Sequence, residues 1–223
     1  MSETGGPGVS VEYVSAVPLD RASVADLIAR HLRDEILQGI LRAGSPLREA
    51  ALAKGFDVSR NTVREAFRLL ERDRLTSHQV HRGVVVRTLA AHEVSDLYRV
   101  RHLLEGNGLR HSSPEKLDAL RSSVAMGERY ALAGDDRQVV NADLGFHQAI
   151  VDLAGSARLS EIFAALLVEL RLGLTLLEPD ASNHWLAENR VLLGYLEDGK
   201  ADVAEAALED YLRRSERDLL DRL

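Results

Sequence analysis

The sequence predicts a mainly α protein in two parts, an N-terminal winged helix-turn-helix joined to a C-terminal all-α antiparallel helical bundle. Three observations carry this. An arginine-rich helix with a polar leading end starts at Ser59, directly after a short alanine-rich helix. Two short β-type runs follow it, separated by His81-Arg82-Gly83. Beyond residue 90 only helical periodicity is found.

Residues 1–17 lack any period and read as a flexible tail. A helix is expected from about Asp20, because Val24, Leu27, Ile28, His31, Leu32, Glu35 and Ile36 mostly fall at i, i+3, i+4 spacing. Gly39 and Ala43-Gly44-Ser45-Pro46 end it in a turn. A short helix from about Arg48 to Gly55 is kept slim by Ala50, Ala51 and Ala53. Phe56-Asp57-Val58 connects it to Ser59, a good N-cap for a helix reaching about Arg72. Val63, Phe67 and Leu70, with Ala66 and Leu69, form the apolar stripe of that helix. Arg60, Asn61, Thr62, Arg64 and Arg68 occupy its other faces. Two helices and a tight turn, the second polar at its start, make a helix-turn-helix. Leu75 to His78 and Val84 to Arg87 then read as the strands of a wing.

Helices are expected over 91–111, 114–133, 135–153, 157–178, 182–198 and 200–222. Their breakers are Ser112-Ser113-Pro114, Ala133-Gly134, Ala154-Gly155-Ser156, Glu178-Pro179-Asp180 and Asp198-Gly199. Short loops between six helices imply an antiparallel bundle. The leucine-rich stretch from Ile162 to Leu177 reads as core and dimer seam. The domains are therefore a tail at 1–17, the winged helix-turn-helix at 18–89 and the helical domain at 90–223.

Composition narrows the function classes. The 223 residues contain no cysteine, which excludes disulfides, thiolate zinc sites and cysteine nucleophiles. No apolar run approaches the roughly 18 residues of a membrane span, so a cytoplasmic protein with no membrane partner is expected. The net charge of −7 conceals an asymmetry. Residues 1–90 hold 13 basic and 11 acidic side chains (+2), and 91–223 hold 15 and 24 (−9). Within 41–90 the balance is ten to five, or +5, and 25 of the 28 basic residues are arginine. Arginine's fork suits phosphate and guanine edges. A basic module on an acidic one fits double-stranded DNA as partner.

Several motifs together resemble the GntR-type transcriptional regulators, in the branch with an all-helical FCD domain (the FadR-type branch). In the N-terminal half they are Leu47-Arg48-Glu49-x-x-Leu52-Ala53, the run Val58 to Ala66, Leu69-Leu70-Glu71, and Arg82-Gly83. In the C-terminal half they are Arg101-x-x-Leu104-Glu105, Asp143-x-x-Phe146-His147-x-x-Ile150 and Gly199-x-x-x-x-Ala204. The resemblance implies DNA contacts from Arg48, Arg60, Thr62 and Arg64, with Gly83 at the wing tip beside His81 and Arg82. Ser59, Asn61 and Arg68 complete the candidate DNA-binding set by their place on the polar helix faces. The physics agrees, since a helix with short polar groups at its start can enter a major groove about 12 Å wide. The alternative is that these arginines only solvate a helix surface. Asp57 and Arg74 depart from the pattern, standing where the family usually has glycine.

Asp143 and His147, four apart, share one helix face and could hold one ion. The resemblance implies two further histidines 22 residues apart, but Asn189 and Tyr211 occupy those places. No cofactor is therefore expected. A divalent metal of the zinc or nickel type stays open on an incomplete Asp143–His147 site, the alternative being a buried hydrogen-bonded pair. Arg101, Asp143, His147, Asn189 and Tyr211 are the candidate effector-binding residues, and the resemblance implies a small carboxylate as effector. Two-fold symmetry supplies the roughly 4–10 kcal/mol that separates specific from non-specific DNA binding, so a homodimer on a palindromic operator is expected. The expected function is ligand-modulated repression, without enzymatic activity. A metal-dependent helical enzyme, or a scaffold whose winged helix contacts protein, is the alternative reading.

Overall fold

The structure, a computed structural model, describes residues 23–177 and 181–223. The expected tail, the helix start at Asp20 and the breaker at Glu178-Pro179-Asp180 lie outside those residues.

The first helix, α1 (Val24–Leu37), is opened by Ser23 and Asp26, each of which bonds the other's backbone N–H. α2 (Glu49–Gly55) and α3 (Arg60–Arg72) form the helix-turn-helix, with the Ser59 hydroxyl capping α3 at the Thr62 N–H. β1 (Thr76–Gln79) and β2 (Gly83–Val86) pair antiparallel, Thr76 opposite Val86. The 43–47 segment, expected only as a turn, also serves as a third edge of this wing. Pro46 bridges to Val85, the Leu47 N–H donates to the Val84 carbonyl at 2.8 Å, and the Val86 N–H to the Ser45 carbonyl at 2.9 Å. Proline has no N–H to offer a ladder, and an edge is where that is tolerated. Ile28, Leu32 and Ile36 of α1 meet Val63, Phe67 and Leu70 of α3 in one core with Leu75 and Val86.

Asp57 and Arg74 have φ of 52° and 57°, the left-handed conformation that glycine adopts without cost. Asp57→Gly is therefore expected to raise stability by up to about 1 kcal/mol, read as a higher denaturation midpoint. Arg74→Gly should gain less, because Arg74 also pairs with Glu169 at 3.5 Å.

The bundle comprises α4 (Ala91–Leu109), α5 (Asp118–Leu132), α6 (Asp136–Asp152), α7 (Ala157–Leu174), α8 (Ala181–Glu197) and α9 (Ala201–Leu220). The stretch at 114–116, expected to begin a helix, is a single 3₁₀ turn ahead of α5. α5 lies along α6, and α4 along α9. Gly108 lets α4 and α6 touch backbone to backbone, since a Cβ there would sit 2.0 Å from the Ile150 carbonyl oxygen. Among the described residues, no helix is long and apolar enough to cross a membrane.

The two parts meet along α7. Its residues 169–174 are all buried, because this segment faces two bodies. Leu170 and Leu174 join the bundle core, while Leu172 joins the winged-helix core. The nearly buried Glu169 carboxylate receives Arg87 from the end of the wing at 3.2 Å, together with Arg74.

Candidate functional site

α3 buries Val63, Ala66, Phe67 and Leu70, which turns its remaining faces outward. Arg48, Ser59, Arg60, Asn61, Arg64, Arg68, His81 and Arg82 are exposed, and Thr62 and Gly83 are half-buried. A groove between α2, α3 and the wing, about 640 Å³ in volume, is bordered by Arg48, Arg64, Arg68, His78, Arg82 and Gly83. The groove thus gathers Arg48, Arg64, Arg68 and Arg82 from three separate segments, while Arg60 and His81 do not border it. Within it Glu49 holds the Arg64 Nε at 2.8 Å, and Arg82 bonds the Gln79 side chain and the Gly44 carbonyl.

The leading end of α3 divides its candidates differently. The Ser59 and Thr62 hydroxyls lie 2.8 Å apart and Ser59 caps the Thr62 N–H at 3.1 Å, so both are engaged in starting the helix. Asn61 and Thr62 border a depression shared with α1, away from the groove. Arg60 carries no ion pair among the described residues and projects from the end where free amides favour a phosphate. His81, with φ of 65°, and Gly83, with φ of 75°, shape the wing tip.

In the helical domain the five other candidates converge, although they come from four helices. Arg101, Asp143, His147, Asn189 and Tyr211 are all buried. Asp143 Oδ1 accepts from Asn189 Nδ2 at 2.7 Å and from the Tyr211 hydroxyl at 3.3 Å. The Tyr211 ring stacks on His147 at 5.1 Å. Arg101 does not reach this carboxylate group directly; its Nε donates to Glu105 Oε1 at 2.8 Å, and His147 Nδ1 bonds Glu105 Oε2 at 2.6 Å. Sequence reasoning placed Glu105 in a motif but not in the site, although its i, i+4 spacing from Arg101 was the available signal. Burial opposes charge on Arg101 and Glu105 alike. The ion pair prevails, raising the proton affinity of the guanidinium and holding the Glu105 carboxyl below its ordinary range, with His147 assisting. Burial, then the Asp143 charge, push the Tyr211 hydroxyl well above 10, so it acts as a neutral donor.

Three polar atoms in this cluster are sealed from water without a hydrogen-bond partner among the described residues: Arg101 Nη2, Asn189 Oδ1 and His147 Nε2, the last 3.7 Å from Asp143 Oδ1.

Known proteins match both parts. The gntR family of bacterial regulatory proteins matches residues 25–86, and the FCD domain matches residues 96–214. The chain belongs to the GntR family. It is 31% identical over 198 residues to the "Probable D-xylose utilization operon transcriptional repressor" of Paenarthrobacter nicotinovorans, covering 87% of this chain and 88% of that one. A solved transcriptional regulator GntR from Rhodococcus sp. RHA1 is 32% identical with a TM-score of 0.82, covering 89% of this chain and 98% of that one. E. coli McbR/YncC, at 20% identity and a TM-score of 0.70 over 90% of this chain and 99% of that one, shares the fold. This is a GntR-family transcriptional regulator with an FCD domain, and its helix-turn-helix is a DNA-binding module; the family's members are regulators and not enzymes.

The family resemblance implies a metal at Asp143 and His147, with two further ligands at the places that Asn189 and Tyr211 occupy. Here Asn189 Nδ2 and the Tyr211 hydroxyl both donate to Asp143 Oδ1, and a neutral amide and a neutral phenol are weaker metal ligands than the histidines they replace. His147 bonds Glu105 through Nδ1, which leaves its Nε2 facing Asp143 Oδ1 at 3.7 Å; among the described residues no three His, Cys, Asp or Glu side chains are arranged to hold an ion.

Proposed function

We propose that this GntR-family regulator is a metal-free repressor that binds a palindromic operator as a homodimer and is modulated by a small organic acid held in its helical domain. The three sealed polar atoms on Arg101, His147 and Asn189 that make no hydrogen bond among the described residues carry the effector reading. Buried polar atoms of folded proteins are nearly always paired, so three around one ion cluster favour a polar guest. Arg101 Nη2 donates and Asn189 Oδ1 accepts, a combination suited to a carboxylate that also bears a hydroxyl or ammonium group. DNA contact falls to the groove between α3 and the wing, with Arg48, Arg64, Arg68 and Arg82 as its cations and Gly83 on its border, and to the leading end of α3 and the wing tip beside it, with Ser59, Arg60, Asn61, Thr62 and His81.

α7 supplies the physical link. It shares one core with the bundle and another with the winged helix, so a ligand that favours one arrangement of the bundle biases the other body through Leu172 and Glu169. The coupling is bounded by the ligand's differential affinity for the two arrangements.

The test is titration of the full-length protein against labelled duplex from its own upstream region at several salt concentrations. Affinity should fall steeply as salt displaces the arginine–phosphate contacts. Small hydroxy and amino acids should raise the melting temperature and change that affinity, and added zinc or nickel should do neither. Failure to bind any duplex in dilute buffer would refute the DNA groove; stabilisation by metal alone would refute the metal-free cluster.

A further inference from the structure

One arginine of the helical domain has no described role in the buried cluster or the DNA groove. Arg171, near the end of α7, is 8% exposed. Its Nε donates to the Leu37 carbonyl at 3.3 Å and its Nη2 to the Arg137 carbonyl at 3.4 Å, both long bonds. Its Nη1 is sealed and has no partner among the described residues. Burial and the neighbouring Arg137 charge both work against its proton, with only the Asp143 charge in its favour. Buried arginine normally faces a carboxylate, because an uncompensated charge is costly to desolvate.

Arg171 borders a cavity of about 180 Å³ at the seam where the end of α1 meets the starts and ends of α6, α7 and α8. Arg137 and Asp136 supply charge to its wall, Thr175 a polar edge, and Leu174 and Trp185 an apolar one. Two cations and one acid leave the wall net positive.

We propose that this seam cavity is a second ligand site, for a small monocarboxylate whose head pairs with Arg171 and Arg137 and whose apolar body lies against Trp185. A carboxylate satisfies the orphan Nη1 in the bidentate geometry that guanidinium favours. Asp136 disfavours a dianion. Because Nη1 is sealed, the head reaches it by drawing the guanidinium into the cavity and away from the Leu37 carbonyl. That carbonyl closes α1, the first helix of the DNA-binding module, so occupancy loosens the hold of the bundle on α1. The site is one helical turn from the buried cluster, Trp185 preceding Asn189 and Val140 preceding Asp143 on their helices.

Trp185 is the only tryptophan in the chain, which makes its emission a local probe. Full-length protein titrated with hexanoate should show a saturable change in emission, and hexanol at equal concentrations should show none. Arg171→Gln and the exposed Arg137→Ala should each weaken hexanoate at least about tenfold, the second without altering the fold. Tyr211→Phe, which changes the buried cluster alone, should leave it unchanged. A response lost in Tyr211→Phe but kept in both arginine variants would place hexanoate in the cluster and overturn the seam site. Equal responses to hexanoate and hexanol, or none to either, would also overturn it. Neither result bears on operator binding or on the hydroxy-acid panel.

Discussion

Replacing Glu105 with alanine is expected to cost about 3–5 kcal/mol of folding stability, the range for removing one partner of a buried ion pair. Arg101 is 2% exposed and His147 fully buried, and Glu105 bonds both. Without it the guanidinium, which does not give up its proton, is left buried and uncompensated. Total stabilities of domains are about 5–15 kcal/mol, so this loss takes up a large part of the reserve. Glu105→Gln keeps the shape and an acceptor and should cost less. The pH dependence follows from the same cluster. Burial alone would raise the Glu105 pKa, but Arg101 and His147 outweigh it and hold the carboxyl below its ordinary 4.5. A depressed folded value gives stability that is present above about 4.5 and is lost as pH falls through the lower folded value. Chemical denaturation from pH 7 to pH 3 should therefore show an acid limb that is shallower in Glu105→Gln. If Glu105→Ala denatures like the parent protein, the cluster is not paired as described.

The features legible in the sequence were those with a local period or a local turn. The helix spans emerge from apolar spacing and breakers, and the Ser59 cap from residue type and position. Asn189 and Tyr211 came from the family resemblance alone, which puts two ligands 22 residues apart on the last two helices, and the structure places both on Asp143. The departures at Asp57 and Arg74 proved to be left-handed turns that tolerate a side chain at some strain. Contacts made across long separations left no such trace. Arg171 meets Leu37 from 134 positions away, and Arg87 meets Glu169 across 82, so the seam between the two parts could not be read. Glu105 was missed for another reason. A glutamate four residues from an arginine is usually a solvated surface pair, and only the packing of α6 and α9 over α4 makes it the centre of a charge cluster.

Arg64→Ala is expected to weaken specific operator binding by about 10- to 100-fold, within the roughly 1–3 kcal/mol of a good base-reading arginine. The residue is exposed on the groove side of α3, and its Nε is held by Glu49 from α2, which leaves the two terminal amino groups available to DNA. That brace predicts a distinction between two kinds of loss. Arg68, at the groove but paired only with Glu65 one turn back, has the looser geometry of a phosphate contact. Arg68→Ala should lower affinity for all duplexes about equally and reduce the salt slope by about one. Arg64→Ala should reduce discrimination between the operator and unrelated DNA. Glu49→Gln separates position from charge: it removes one negative group from the groove and also frees Arg64. Binding to unrelated duplex should strengthen, while the ratio of specific to non-specific affinity falls. Anisotropy titrations with operator and scrambled duplex read both quantities. If Glu49→Gln raised that ratio, Glu49 would be competing with DNA for Arg64 instead of aiming it, and the groove would have to read sequence through another residue.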